Sequence, residues 1–137
     1  MVLRIGATVH PENLATAEAR VRRRVEEALG VEVKSLEPIH EGLGLRAFYR
    51  VHTTGVPDSL VVRMDAPEDA AARPPGVLPE PGLEPLRTFL AEHGIPVPLR
   101  FGGDAETDLL EDLGSCSLER AVSEANPEER GALYEEA

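Results

Sequence analysis

Three short segments in which apolar and polar residues alternate constrain this fold more than any other feature of the sequence. Alternation with a period of two is typical of β-strands that bury one face. Only short turns containing glycine separate the segments, which cover residues 31–39, 47–53 and 59–65. Strands in such immediate succession predict an antiparallel meander.

A helix is predicted before the meander, over residues 12–29. Its apolar residues, among them Val21 and Val25, recur at steps of three and four, and Gly30 is a natural C-terminal stop. The basic run at 20–24 lies within this helix and is followed by glutamates, so a solvated helix face explains it.

The chain after the meander predicts the remaining elements of an α+β fold. A proline-rich connection without periodicity covers residues 66–83, and a loop of this length is typically functional or mobile. The elements predicted beyond it are a helix at 84–93, strands at 99–101 and 107–111, a short helix at 117–125 and a helix that begins at Asn126. We therefore expect a five-stranded antiparallel sheet with the inserted helix 84–93 packed on one face.

Composition excludes several classes of function. With 137 residues, 42% of them hydrophobic and 28% charged, the chain suits one soluble domain. Its net charge of −11 argues against nucleic acid as a partner, because phosphate backbones require a basic face. No apolar stretch approaches the ~18 residues of a membrane span. The single cysteine, Cys116, permits no internal disulfide, so we expect a cytoplasmic protein.

Three motifs resemble, in their order and spacing, those of a known enzyme family. They are residues 60–67 (LVVRMDAP), 94–98 (GIPVP) and 109–114 (LLEDLG). In these segments the chain is similar to the aminoglycoside phosphotransferase and choline-kinase-like family. The phrasing is closest to the branch that phosphorylates bacterial cell-wall amino sugars at the anomeric carbon. The resemblance covers roughly residues 30–137.

The resemblance implies the N-terminal lobe of a protein-kinase-like fold, in which a five-stranded antiparallel sheet and one inserted helix cover a nucleotide. By this comparison residues 1–30 are an N-terminal helical extension, 31–113 are the ATP-binding lobe, and 114–137 are the hinge exit and the truncated start of the C-terminal lobe. The implied function is binding of ATP, with Mg²⁺, in a phosphotransferase that acts on a sugar, amino-sugar or aminoglycoside-like hydroxyl group.

The turn between the first two strands is one candidate site. It contains Gly42, Leu43 and Gly44, and glycine allows backbone N–H groups to approach phosphates, as in the Gly-rich loops of kinases. The alternative is a hairpin turn that merely requires glycine.

Arg63 is the candidate phosphate-binding cation. In kinases this cation follows, by two residues, a small apolar residue that covers the adenine, and Val61 and Arg63 have that spacing on one face of a strand. The resemblance assigns Glu84 as the acid that pairs with Arg63, and it implies that Phe48 also faces the adenine. The alternative for Arg63 is a solvated arginine on a strand. The alternative for Glu84 is a glutamate that the helix macrodipole favours at the start of a helix.

The segment after the last strand is the candidate hinge. The resemblance implies that backbone groups of Glu111 and Leu113 hold the adenine, with Leu110 as gatekeeper. Residues 112–114 (DLG) superficially resemble the metal-binding motif of protein kinases, but no catalytic loop precedes them, so we interpret them as hinge.

Catalytic residues are not among the predicted sites. The sequence has no aspartate in an His-x-Asp loop, and its histidines lack metal-ligand spacing. We expect those groups in a C-terminal lobe absent from this chain, and no phosphate transfer by the chain alone. We also expect a homodimer, formed through the exposed cleft and the helix from Asn126. The alternative function is a free-standing acidic α+β protein-interaction module without catalysis.

Overall fold

The computed structural model describes residues 11–39, 46–65, 74–78 and 82–136, with the side chains of 11–14 left aside. Its elements are α1 (Pro11–Leu29), β1 (Val33–Ile39), β2 (Ala47–Thr53), β3 (Ser59–Met64), α2 (Leu83–Glu92), β4 (Arg100–Gly103), β5 (Thr107–Glu111), α3 (Leu118–Glu124) and α4 (Pro127–Glu136). The predicted elements all form, and the bounds of β2 and β5 are those expected from the sequence.

The five strands form one open antiparallel sheet in the order β1-β2-β3-β5-β4, which confirms the predicted α+β class. The chain crosses from β3 through α2 to the outer edge strand β4, then returns as β5 to pair with β3. In this pairing Val61 lies opposite Leu110, and Arg63 lies opposite Asp108. Residues far apart in sequence therefore meet on one sheet face.

Helix α1 covers the other face of the sheet. Val21 and Val25, on one stripe of the helix, are both 0% exposed. They join a core formed from the sheet by Val33, Tyr49, Val51, Leu60, Val62, Met64 and Leu109. Full burial of such a side chain contributes about 1.5–3 kcal/mol to stability. Helix α1, which the resemblance treats as part of an N-terminal extension, thus shares the hydrophobic core of the sheet.

Helix α2 does not pack on the sheet as the sequence led us to expect. None of its residues is buried, and Leu86 and Phe89 are each 54% exposed. Its half-buried side carries Glu84 and Arg87, which form an ion pair of 2.7 Å within the helix, beside Leu83 and Leu90. A second ion pair, of 3.4 Å between Glu84 and Arg100, links the helix to strand β4.

The last helix begins as its capping residues predict. The Asn126 side-chain oxygen accepts hydrogen bonds from the N–H groups of Glu128 and Glu129, at 3.0 and 2.9 Å. The Glu129 carboxylate accepts in return from the Asn126 N–H at 3.0 Å, which completes a capping box. Among the described helices, α1 to α4, none combines the length and the apolar character needed to cross a bilayer.

Candidate functional site

A concave surface of roughly 340 Å³ lies where strand β5 ends and the chain leaves the sheet. Its apolar part is formed by Ile39, Val61 and Leu110, which come from three different strands on the sheet face turned away from α1. Leu113, which is 70% exposed, the small residues 114–117 and the polar side chains of Arg50 and Asp112 also line it. An apolar wall beside an exposed stretch of backbone can hold a flat ring that carries hydrogen-bonding groups on its edge.

Four of the predicted site residues line this surface: Val61, Leu110, Glu111 and Leu113. Val61 and Leu110 meet because they are paired across β3 and β5. Glu111 is the last paired residue of β5 and Leu113 follows it, and the Glu111 carboxylate accepts a hydrogen bond from the Leu99 N–H at 3.0 Å. That side chain is therefore occupied in holding the residue before β4 against the end of β5.

The other predicted residues lie elsewhere. Phe48 and Arg63 are paired with each other on the same sheet face as Val61, but they do not line the concave surface. Glu84 lies on α2. The turn with Gly42, Leu43 and Gly44 is outside the described residues.

Arg63 is held by a carboxylate that the sequence analysis did not select. Its side chain is 2% exposed, so a solvated arginine is ruled out. The Nε and Nη2 groups donate to Asp108 Oδ2 at 2.8 and 2.6 Å, and Nη1 donates to Asp65. In place of the expected Glu84, Asp108 is the principal partner of Arg63, because antiparallel pairing puts the two directly opposite each other.

Glu84 is connected to Arg63 only indirectly, through a series of ion pairs in which acidic and basic side chains alternate. Arg100 bridges the two acids, with its Nε 2.8 Å from Asp108 and 3.4 Å from Glu84. Hydrogen bonds from Arg87 hold the pKa of Glu84 below its ordinary value. The ion-pair chain across this face consists of Arg46, Asp65, Arg63, Asp108, Arg100, Glu84 and Arg87.

A second group of polar contacts, which we name the Asp112 clasp, borders the concave surface. Arg50 on β2 donates through Nε and Nη2 to the Asp112 carboxylate at 2.8 and 3.2 Å. The Ser59 hydroxyl and the Gly114 N–H also donate to Asp112. Burial alone would raise the pKa of Asp112, but the bonds from Arg50, Ser59 and Gly114 outweigh it and lower the pKa to about 2.

Sequence reasoning gave the Asp112 carboxylate no role and did not select Arg50. The two residues are 62 positions apart, and no local spacing connects them. The available signal was a charged residue on each of two segments for which the resemblance implies contacts with the adenine, the strand that contains Phe48 and the hinge. Only the pairing of β2 with β3 and of β3 with β5 brings them into contact.

Within the described ranges, no group of three or more His, Cys, Asp or Glu side chains is arranged to hold a metal ion. Comparison of the chain with protein-family models, with curated proteins and with solved structures finds no match.

Proposed function

We propose that this chain binds the adenine nucleotide of an ATP-dependent small-molecule phosphotransferase in the concave surface beside residues 110–114. The observation that carries the proposal is the meeting of Val61, Leu110, Glu111 and Leu113 around one concavity. The resemblance to the aminoglycoside phosphotransferase family implies an adenine contact for each of them. Their convergence depends on the pairing of β3 with β5, which the motifs do not specify.

The concave surface would accommodate the base of a nucleotide. The ring would lie against Val61 and Leu110, while the backbone of Glu111 and Leu113 would offer a carbonyl and an N–H to its polar edge. The roughly 340 Å³ available is within the usual range of small-molecule sites.

The phosphates would be held by Arg63 on the same face. Its Nε edge is bound to Asp108, which is nearly inaccessible, whereas Nη1 is bound to Asp65, whose side chain is 33% exposed. A phosphate oxygen would therefore replace Asp65 rather than Asp108. Mg²⁺ would neutralise phosphate charge during transfer, and its ligands and the catalytic aspartate would come from a second lobe. The acceptor would be a sugar, amino-sugar or aminoglycoside-like hydroxyl group.

Two observations favour the alternative of a protein-interaction module. The Nε, Nη1 and Nη2 groups of Arg63, which would bind phosphate oxygens, already donate hydrogen bonds to carboxylates. On α2, Leu86 and Phe89 expose an apolar stripe of the kind that protein partners cover.

Titration with MgATP, followed by methyl NMR spectroscopy, distinguishes the two functions. Nucleotide binding predicts shifts of the Val61, Leu110 and Leu113 methyl signals, with smaller shifts for Val62 and Leu109 in the core on the other sheet face. A site with Kd of about 1 mM is nearly saturated at about 10 mM ligand. The absence of shifts at that concentration would exclude the nucleotide site.

The rate of Cys116 alkylation provides an independent test of nucleotide binding. Cys116 is the one cysteine of the chain, it is exposed, and it lines the concave surface. MgATP should therefore slow its alkylation by a neutral maleimide, while an equal concentration of Mg²⁺ with inorganic triphosphate, which lacks the base, should not.

A further inference from the structure

The Asp112 clasp joins strand β2 to the segment that follows β5. The side chains of Arg50 and Asp112 are mostly enclosed, at 19% and 10% exposed. A bidentate arginine–carboxylate pair is among the stronger side-chain interactions, and it fixes orientation as well as distance.

The clasp also holds the backbone of Gly114 on both sides. The Gly114 N–H donates to Asp112 at 2.9 Å, and the Gly114 carbonyl accepts from Arg50 Nη2 at 2.9 Å. Strand pairing ends at Glu111, so the sheet does not direct the chain beyond that residue. Gly114 has φ +90, a conformation that favours glycine and turns the chain there. Side chains, rather than the sheet, thus determine the path of residues 112–114.

We propose that Arg50 and Asp112 are positioning residues that set the conformation of Leu113 at the candidate nucleotide site and thereby its affinity for nucleotide. The inference rests on the proposed function. Leu113 lies between the two anchored residues, Asp112 and Gly114, and its backbone would contact the base. Arg50 and Asp112 also line the concave surface, and in this proposal they act through the conformation of Leu113 rather than through a contact with the nucleotide.

The test compares Asp112→Asn with Glu106→Gln, using the full chain. Both substitutions remove one carboxylate charge from an arginine ion pair, but the Arg20–Glu106 pair is exposed and distant from the clasp. We expect Asp112→Asn to weaken MgATP binding about tenfold, the change that corresponds to losing one charge-assisted hydrogen bond. We expect hydrogen exchange of the Gly114 amide to accelerate by about the same factor. Glu106→Gln should change neither quantity.

Ser59→Ala provides a second, milder variant in case Asp112→Asn reduces folding. It removes one hydrogen bond to Asp112 and leaves the ion pair with Arg50 intact. We expect a smaller change in the same direction for both measurements, with unchanged exchange in the paired amides of Val51 and Val62. Unchanged affinity in both variants, with faster Gly114 exchange, would overturn the positioning role.

Failure of the proposed function gives a different result. If the unmodified chain does not bind MgATP, the nucleotide site is excluded, and Gly114 exchange then decides the positioning of the segment alone. Faster exchange in Asp112→Asn supports that positioning, and unchanged exchange overturns it.

Discussion

The Arg63 guanidinium lies 2.6 Å from the Asp108 carboxylate on the adjacent strand, and their side chains are only 2% and 3% exposed. Two opposite charges enclosed in this way depend on each other, since either one alone would lose its principal counter-charge at a place that solvent hardly reaches. Asp108 also accepts from Arg100 Nε at 2.8 Å. It is therefore the centre of the ion-pair chain on this face.

Asp108→Asn should lower the free energy of unfolding by about 3–5 kcal/mol, the usual effect of breaking a buried ion pair. Glu84→Gln, in the part of the same chain that lies on α2, should lower it by less than about 1 kcal/mol, because that side chain is 34% exposed. Urea denaturation of both variants checks this. Equal effects would contradict the role of Asp108 as the principal partner of Arg63.

Val61 and Val62 are neighbours on β3 that face opposite sides of the sheet. Val62 is fully buried in the core, so Val62→Ala should lower the free energy of unfolding by about 2 kcal/mol. Val61 lines the concave surface and is only half-buried, so Val61→Ala should have a smaller effect on stability and a larger effect on MgATP affinity. Denaturation and methyl NMR titration of both variants check the contrast. A greater loss of affinity in Val62→Ala would contradict it.

Acid should destabilise the fold partly through Asp112. Its pKa is about 2 in the folded protein, below the ordinary value of 3.8, so the unfolded chain takes up the proton first as the pH falls. The contribution is fully present above about pH 4 and is lost as the pH falls towards 2; it amounts to about 2 kcal/mol.

The check is the pH dependence of urea unfolding in the unmodified chain and in Asp112→Asn. The difference between their free energies of unfolding should be constant from pH 7 to about pH 5 and should shrink below about pH 4. A difference that grows on acidification would contradict the depressed pKa.

Gly103, the last residue of strand β4, has φ +142, a backbone conformation that residues other than glycine rarely adopt. A Cβ atom there would collide with the Thr107 carbonyl oxygen and lie 3.0 Å from the Asp108 Cα. Gly103→Ala should therefore lower the free energy of unfolding by about 3 kcal/mol. Gly94→Ala is the control, because φ +73 is also strained there but the space is open, so about 1 kcal/mol is expected. Similar denaturation midpoints for the two variants would refute the role of the collision.

Self-association is expected through apolar side chains that the described residues leave uncovered, chiefly Leu113 at the concave surface and Tyr134 on α4. Each Å² of apolar surface covered contributes roughly 25 cal/mol. Sedimentation velocity should show a dimer whose dissociation constant rises in Leu113→Ser and Tyr134→Ser and stays constant in Val56→Ser, another exposed apolar site. A monomer at all concentrations would contradict this expectation.

The sequence by itself determined where the helices and strands lie and that the sheet is antiparallel. Periodicity and capping act over a few residues, so β2, β5 and the start of α4 could be read from local patterns. The same alternation put Val61 and Arg63 on one face of β3, and the family resemblance selected Leu110, Glu111 and Leu113.

Tertiary structure alone decided which partners these residues meet. Arg63 binds Asp108 rather than Glu84, and Arg50 binds Asp112, because pairing of β3 with both β2 and β5 sets their positions. The covering helix is α1 rather than α2: Val21 and Val25 of α1 join the core of the sheet, whereas no residue of α2 is buried. Strand register and helix packing depend on contacts between distant segments, and no short stretch of sequence contains that information.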